Sequence, residues 1–345
     1  MGITVEAHFA QQLASNQPHI REKALKKLGK WFERISVSTE DLNEETFLKI
    51  WKGLYYYFWH CDKMLVQKRE ERADVISQFI HAFKTMEYSF LYIDTFFTTM
   101  SHEWHCIDHY RIEKFMMLVR KFLHQCFQLL KRKHWKVKCI KEVLNILKKT
   151  VLAPSTEGVP YGLKTHISDI YMEELAKVGH DEVTPKILRK FLLPYCNILC
   201  YSEDASVLQS VKKDVFLYLI NQDADEAEFH EFPVLKFNPN SVQKLLMKHA
   251  NQPDVKRKNL KIIHSIVKEY EDYKSGINAF EKILKSQQTN RKLRKRAIEK
   301  ASLKLVEEEE VERNTKKAFK KKRKINSEII DLVKWNAEIF MLLTD

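Results

Sequence analysis

The sequence predicts an all-α fold. Its 345 residues include only 7 Gly and 8 Pro, which are too few turn-forming residues for a chain built of many short strands. Apolar residues recur at three- and four-residue spacing, as in Val207, Val211 and Val215, and this spacing places them on one face of a helix. Many helices of similar length joined by short polar turns favour an irregular α-solenoid of stacked antiparallel helix pairs, of the HEAT or armadillo kind.

Twelve helices are predicted in chain order. Their starts are placed by capping residues beside prolines, at Asn16 to Pro18, Thr184-Pro185 and Asn238-Pro239, and two of their ends by Gly158 and Gly179. The apolar stripe of Phe115, Leu118 and Phe122 supports the sixth helix. The predicted ranges are 6–14, 18–34, 42–59, 65–85, 88–104, 108–131, 135–150, 164–178, 185–200, 205–221, 240–250 and 254–273.

Two domains are predicted. Residues 1–274 form the solenoid-like domain, and the loop at 153–161 is a joint inside it because apolar periodicity resumes immediately afterwards. Residues 275–345 are predicted to form a long, basic, charged helix and tail. This tail ends in an amphipathic segment, 325–343, that suits docking on the body or on a partner.

The formal charge of +13 is concentrated in two places. Residues 286–325 carry a net charge of +9 and residues 131–149 a net charge of +7, which leaves −3 for the other 286 residues. A near-neutral body with two basic patches predicts a polyanionic partner at defined positions.

Several function classes are disfavoured by the sequence. No charge-free run exceeds 14 residues, and no signal-peptide pattern precedes the six cysteines, so we expect a soluble intracellular protein with free thiols and no membrane partner. No phosphate-binding glycine loop or nucleophile-elbow motif occurs. We therefore expect no enzyme activity, no cofactor and no small-molecule substrate.

One cluster suggests metal chemistry. His102, His105, Cys106 and His109 would share a face of a continuous helix, and imidazole with thiolate suits zinc. The spacing is HExH rather than the HExxH of metalloproteases. A helix end packed in a groove between helices is the simpler interpretation, and a metal-dependent hydrolase stays a second alternative.

The patch at residues 131–138 is the better candidate for binding. Its cations would neutralise phosphates, and its tryptophan would stack on an unpaired base if it were exposed and not buried in an inter-helix turn. The RNA-binding candidates are Lys131, Arg132, Lys133, Trp135, Lys136 and Lys138.

Two dense basic clusters in the tail fit nuclear import signals and non-specific contact with nucleic acid. A solvated charged helix is the competing interpretation for the first of them. The candidates are Arg291, Lys292, Arg294, Lys295, Arg296, Lys320, Lys321, Lys322, Arg323 and Lys324.

The densest aromatic stretch is IWKGLYYYFWHCDKMLVQ, residues 50–67. It resembles the signature of the ribosomal RNA processing protein 1 family, nucleolar factors of large-subunit assembly. Stretches near residues 9–31, 96–122 and 162–175 are similar to the family in the same order. The matching signature positions are Trp51, Lys52, Gly53, Asp62, Lys63, Gln67, Glu103, Trp104, Asp108 and Arg111.

The resemblance implies an all-helical, non-catalytic scaffold in the nucleus and nucleolus. It also implies pre-rRNA and assembly factors of the pre-large-subunit particle as partners. A helical-repeat transport adaptor stays the first alternative, for which acidic or asparagine-lined grooves would be expected. Four aromatic residues of the 50–67 stretch are expected in the core more than at a contact surface. They are Trp51, Tyr55, Tyr56 and Trp59.

Overall fold

A computed structural model describes residues 4–35, 42–61, 66–155, 158–222 and 233–276. The chain divides into two compact units, Met1–Ala279 and Phe280–Asp345, and every described residue belongs to the first. The described residues contain helices and no strand, which confirms the predicted all-α class. None of the helices in these ranges has the length and apolar character needed to cross a membrane.

Fourteen α-helices are described. They are α1 (Val5–Leu13), α2 (Pro18–Ile35), α3 (Glu44–Trp59), α4 (Val66–Gln78), α5 (Met86–Glu103), α6 (Ile112–Arg132), α7 (Val137–Lys149), α8 (Tyr161–Gly179), α9 (Pro185–Phe191), α10 (Leu193–Tyr201), α11 (Ala205–Ser210), α12 (Tyr218–Asn221), α13 (Pro239–Ala250) and α14 (Arg257–Lys274). A π-helical segment, Val211–Leu217, joins α11 to α12.

The helices stack in two rows. In the first row α1 packs on α3, α3 on α5, α5 on α7, and α7 on α9 and α10, which contact α13. In the second row α4 packs on α6, α6 on α8, α8 on the π segment, and that segment on α14. Neighbours along the chain, such as α1 and α2 or α13 and α14, pair across the rows. This arrangement confirms the predicted solenoid of stacked helix pairs.

Aromatic side chains fill the front of the core. The Trp51 ring lies 4.6 Å from Tyr92 and 4.8 Å from Phe96, and its Nε1 donates to the Tyr92 carbonyl at 3.1 Å. Trp51 and Tyr55 are buried, whereas Tyr56 is 39% exposed and Trp59 is half-buried. The tryptophan nitrogen thus has a partner although the ring is surrounded by apolar groups.

Gly53 permits the tightest contact between helices. A Cβ atom built at this position would lie 2.6 Å from the Cα of Ala10, which is backbone of α1 and has little freedom to move. Only glycine lets α1 and α3 approach this closely. The spacing of α1 and α3 therefore depends on glycine at this signature position.

Two predicted helices differ from the structure through the chemistry of single residues. The helix predicted at 185–200 divides at Leu192, because Pro194 lacks an N–H and restricts the residues before it. The helix predicted at 205–221 is continuous but contains the π segment. There the Phe216 carbonyl accepts a hydrogen bond from the Tyr270 hydroxyl at 2.8 Å, a partner that only the folded solenoid provides.

The helices predicted to begin at residues 108 and 135 begin later, at Ile112 and Val137. The Asp108 carboxylate accepts from the backbone N–H groups of Tyr110 and Arg111 at 3.1 and 3.0 Å, so a turn precedes α6. His134 and Trp135 have φ angles of 51° and 52°, which excludes both from the start of α7.

The predicted joint between α7 and α8 is fixed by a buried lysine. Lys164, only 1% exposed, donates from Nζ to the carbonyls of Ala153 and Ser155 at 2.6 and 2.8 Å. Since α6 packs on α8, and α7 on α9 and α10, the two rows continue past this loop.

Candidate nucleic-acid interface

Trp135 is buried, so its predicted role in base stacking does not fit its position. It is 5% exposed, contacts Phe191 with ring centroids 6.1 Å apart, and donates from Nε1 to Glu182 Oε2 at 2.9 Å. This hydrogen bond holds the pKa of Glu182 below its ordinary value. The tryptophan joins the α6–α7 turn to the α8–α9 turn and offers no free ring face.

Lys131 is also engaged in structure. Its Nζ donates to the carbonyl of Val178 at 3.0 Å and lies 3.4 Å from Glu182 Oε1. A lysine that joins α6 to the end of α8 in this way is only in part available to a phosphate. Its charge still adds to the local field.

The other predicted RNA-binding residues have more open positions. Arg132, Lys136 and Lys138 are exposed and Lys133 is half-buried. Arg132 lines a polar cavity of about 410 Å³ beside His81 on the surface of α4 and α6. Lys136 and Lys138 lie at the start of α7, so the predicted patch divides between two surfaces.

A basic stripe runs along α7 from Lys138. Lys138, Lys141 and Lys148 share one helix face at spacings of three and seven residues, and all three are exposed. Among the described residues no carboxylate forms an ion pair with them; the pairs on α7 involve Lys149, which lies 2.9 Å from Asp94. Exposed unpaired cations keep their full field for an incoming anion. We call these three residues the α7 stripe.

The signature residues meet where α3, α5 and α6 come together. Lys52 pairs with Glu103, and Asp108 pairs with Arg111. The Arg111 guanidinium lies over the Trp59 ring, 4.5 Å from its centroid. Cation–π and charged contacts of this kind stabilise a junction between helices, so these signature positions hold the fold together.

The other signature positions divide between core, surface and undescribed chain. Trp104 is 7% exposed, and a Cβ built at Gly162 would lie 3.2 Å from its Nε1. Gln67 is exposed. Asp62 and Lys63 lie outside the described residues, as do the nuclear-import candidates at 291–296 and 320–324 and the amphipathic segment.

The histidine cluster does not share one helix face. α5 ends at Glu103, Trp104–Cys106 forms a 3₁₀ turn and Ile107 is extended, so no single helix runs from His102 to His109. In the part of the chain that the structure describes, no group of three or more His, Cys, Asp or Glu side chains is placed to hold a metal ion. The hydrolase alternative thus lacks the ligand geometry that it requires.

Four of the cysteines have the environment of core thiols. Cys126 and Cys196 are fully buried, and burial raises the pKa of each thiol far above its ordinary value. Burial also raises the pKa of Cys61 and of Cys200 to about 11. A thiol that resists ionisation is a poor nucleophile, so these four residues act in packing.

The fold and these surfaces define a helical-repeat scaffold with an exposed basic face. The chain belongs to the family described as "Nucleolar protein, Nop52", whose model matches residues 4–331. This membership confirms the resemblance drawn from the signature residues. It identifies the chain as a nucleolar protein of the ribosome-biogenesis class.

Relatives with the same family character occur in distant organisms. The chain is 39% identical over 220 residues to ribosomal RNA processing protein 1 homolog B of Mus musculus, a match covering 64% of this chain and 30% of that protein. It is 38% identical over 218 residues to homolog A of Homo sapiens, covering 63% and 47%. It is 29% identical over 309 residues to the homolog of Dictyostelium discoideum, covering 81% and 61%. The chain matches less than two thirds of each relative's length.

Sequence reasoning missed three basic residues of α9. Lys186, Arg189 and Lys190 line a cavity close to α7, although they are distant from the α7 stripe in sequence. The string KILRK after Thr184-Pro185 was the available signal, and its three cations in five residues predict a basic helix face.

Proposed function

We propose that the chain is a non-catalytic nucleolar scaffold in assembly of the large ribosomal subunit. In this role it supports pre-rRNA processing by binding pre-rRNA and assembly factors. Membership of a nucleolar family and relatives named for ribosomal RNA processing support the process. A location in the nucleus and nucleolus would place such a scaffold in the same compartment as the pre-rRNA.

The α7 stripe is the observation that carries the RNA-binding part of the proposal. Lys138, Lys141 and Lys148 present three exposed positive charges on one rigid helix. Cations whose backbone positions are set by one helix suit a phosphate backbone, and release of counterions drives such binding. Protein factors would use other surfaces, because a basic face repels basic partners.

The transport-adaptor alternative fits the surface less well. A groove that takes a basic peptide cargo needs carboxylates or amides in its walls. The cavities beside α7 and α9 do contain Asn145 and Asn197, but they also contain lysines and no carboxylate. The positive charge there disfavours a cationic peptide and favours an anion.

Crosslinking in cells tests the proposal. The full chain is expressed with a tag, crosslinked to RNA by ultraviolet light and purified, and the attached RNA is sequenced. We expect enrichment of precursor rRNA of the large subunit and a nucleolar signal by microscopy. Crosslinks spread in proportion to cellular RNA abundance, with no enrichment of precursor rRNA, would contradict the proposal.

A charge-reversal pair connects the crosslinks to α7. Lys136→Glu/Lys138→Glu should reduce the crosslinks and weaken binding to RNA in vitro. The control is Lys26→Glu/Lys30→Glu, which makes the same charge change at exposed positions of α2. Equal loss in both variants would mean that net charge alone governs binding.

A further inference from the structure

Two cavities join beside α7 into one surface groove. The larger, of about 790 Å³, lies between α9 and the start of α13 and is lined by Lys186, Arg189 and Lys190. The smaller, of about 260 Å³, lies between α7 and α10. Lys190 and Leu193 line both cavities, so the two adjoin at these residues. We call this combined feature the basic groove.

The basic groove has cations along both of its cavities. Lys141 and Lys148 of α7 line the smaller cavity together with Lys190 of α9, and Lys190 lines the larger cavity together with Lys186 and Arg189. No carboxylate lines either cavity, and among the described residues none of these five cations forms an ion pair. Walls of one sign concentrate the field between them and attract a linear anion.

The surface changes sign across α7. On the other side of this helix a third cavity, of about 510 Å³, is lined by the carboxylates Glu87, Asp94 and Glu142. Lys149 pairs with Asp94 there. An anion is thus attracted to one side of α7 and repelled from the other, which gives the basic groove a defined edge.

Amide side chains accompany the cations. Asn145 of α7 and Asn197 of α10 line the smaller cavity with Lys141, Lys148 and Lys190. An asparagine amide both donates and accepts hydrogen bonds, so it can pair with the edge of a nucleobase, which a lysine cannot do as selectively. Base edges are open to such contacts in single strands, whereas side chains cannot read the deep major groove of an RNA duplex.

We propose that the basic groove binds single-stranded RNA, with phosphates at Lys141, Lys148, Lys186, Arg189 and Lys190 and base edges at Asn145 and Asn197. This inference rests on the proposed function and identifies the strand form of its RNA partner. Within the groove, Lys141 and Lys148 lie about 10 Å apart along the α7 axis at 1.5 Å per residue. That length equals roughly three stacked nucleotides at 3.4 Å each.

An acidic protein segment is the other occupant that cations would attract, and two features favour RNA. The amides can pair with base edges, and the cations extend through two adjoining cavities, which suits a backbone with phosphates at regular intervals. No Phe, Tyr or Trp side chain lines the two cavities, whose lining residues are all described, and the single ring there is the His249 imidazole in the smaller cavity. We therefore expect affinity that depends strongly on salt and little on base stacking.

The test is fluorescence anisotropy with the full chain and a labelled 12-nucleotide single-stranded RNA of mixed sequence. The groove variant is Lys186→Glu/Lys190→Glu, and its control is Lys26→Glu/Lys30→Glu, which has the same four-residue spacing and the same charge change. We expect the groove variant to weaken binding roughly tenfold and to reduce the slope of log K against log salt by about 1.4, since each lost phosphate contact removes about 0.7. The control should stay within about twofold of the original chain.

A second variant keeps the charge. Asn145→Ala/Asn197→Ala should weaken binding to single-stranded RNA a few-fold with an unchanged salt slope, because amides contribute no counterion release. A duplex of the same sequence and a poly-glutamate peptide, both unlabelled, serve as competitors. Circular dichroism confirms that each variant is folded before it is measured.

The outcomes separate the inference from the proposed function. If the groove variant binds like the control while Lys136→Glu/Lys138→Glu weakens binding, the basic groove is not the RNA site, although the scaffold still binds RNA. If the duplex or poly-glutamate competes better than unlabelled single strand, the inference is also overturned. If the unmodified chain binds none of the probes, the RNA-binding part of the proposed function fails with it.

Discussion

The indole Nε1 of Trp135 donates a hydrogen bond to Glu182 Oε2 at 2.9 Å, across 47 residues of sequence. The bond joins the turn after α6 to the turn after α8, two consecutive helices of the second row. Trp135 adopts a φ of 52°, which a bulky residue rarely accepts without compensation. The contacts with Glu182 and Phe191 provide that compensation, so this tryptophan fixes the spacing of neighbouring repeats.

Trp135→Phe tests whether the residue is structural. The variant keeps an aromatic ring but loses the hydrogen bond, and we expect it to lower the free energy of unfolding by about 1–2 kcal/mol. RNA affinity of the folded variant should be unchanged. Chemical denaturation and anisotropy measure the two quantities, and Trp135→Leu extends the test, since loss of RNA affinity in a folded Leu variant would show that the ring contacts RNA.

Gly53→Ala should destabilise the front of the solenoid. The new Cβ would meet the backbone of Ala10 at 2.6 Å, and overpacking of this kind costs about 1–3 kcal/mol. Gly29→Ala is the matched control within α2. Its Cβ would lie 2.9 Å from a carbon of the Phe79 ring, a side chain that can shift.

The measurement is the denaturation midpoint of both variants. We expect a clear loss for Gly53→Ala and a smaller change for Gly29→Ala, because alanine is favoured over glycine in a helix by about 1 kcal/mol. Equal losses in the two variants would show that helix spacing at Gly53 is not the limiting feature.

The sequence was sufficient to predict the helices because their apolar stripes are local. The pattern of Phe115, Leu118 and Phe122 identifies the buried face of α6, whichever helices that face packs against. The division at Leu192 was missed because its cause, Pro194, lies inside an otherwise uninterrupted apolar run. A carbonyl of the π segment accepts a hydrogen bond from Tyr270, 54 residues further along the chain, and no local sequence pattern shows such a contact.

The candidate site was predicted in part for the same reason. A run of cations in the sequence shows where positive charge lies along the chain. Lys136 and Lys138 were predicted in this way, and both are exposed. It does not show which side chain is buried, and Trp135 packs against Phe191 of α9 and bonds Glu182 in the turn before that helix. The basic groove combines α7 with α9 and α10, and only the stacking of the first row brings those helices together.

His166 should make stability depend on pH. It is 8% exposed and contacts the Met116 carbonyl through Nε2 at 2.9 Å, with Arg120 and Asp169 nearby. Burial, and to a smaller extent Arg120, lowers its pKa below the ordinary value near 6.5, although the Met116 contact and Asp169 oppose this. The unfolded chain therefore binds the proton more readily than the folded chain.

The contribution of neutral His166 to the free energy of unfolding is thus fully present above about pH 6.5. It is lost as the pH falls towards the pKa of His166 in the folded chain. Denaturation midpoints between pH 7 and pH 5 should fall less for His166→Gln than for the original chain. His81, whose pKa burial also lowers, acts in the same direction, so part of the fall should remain. Exposed His264→Gln is the control, and a fall that His166→Gln leaves unaltered would contradict the prediction.

Lys164 should be essential for the α7–α8 joint. Its ammonium donates to the carbonyls of Ala153 and Ser155, and burial lowers the pKa of this lysine because its charged form is poorly solvated. Lys164→Met keeps the length and the apolar stem but removes both hydrogen bonds, each of which involves a charged donor.

We expect Lys164→Met to lower the free energy of unfolding by about 2–3 kcal/mol, and hydrogen exchange of the amides in residues 151–155 to become faster. Lys177→Met in α8 is the control for removing a lysine from the same helix, since its Nζ bonds the carboxylates Glu173 and Glu174 at its own end of α8. Faster exchange at 151–155 in the control alone, or protection retained in Lys164→Met, would show that the loop is held by other contacts.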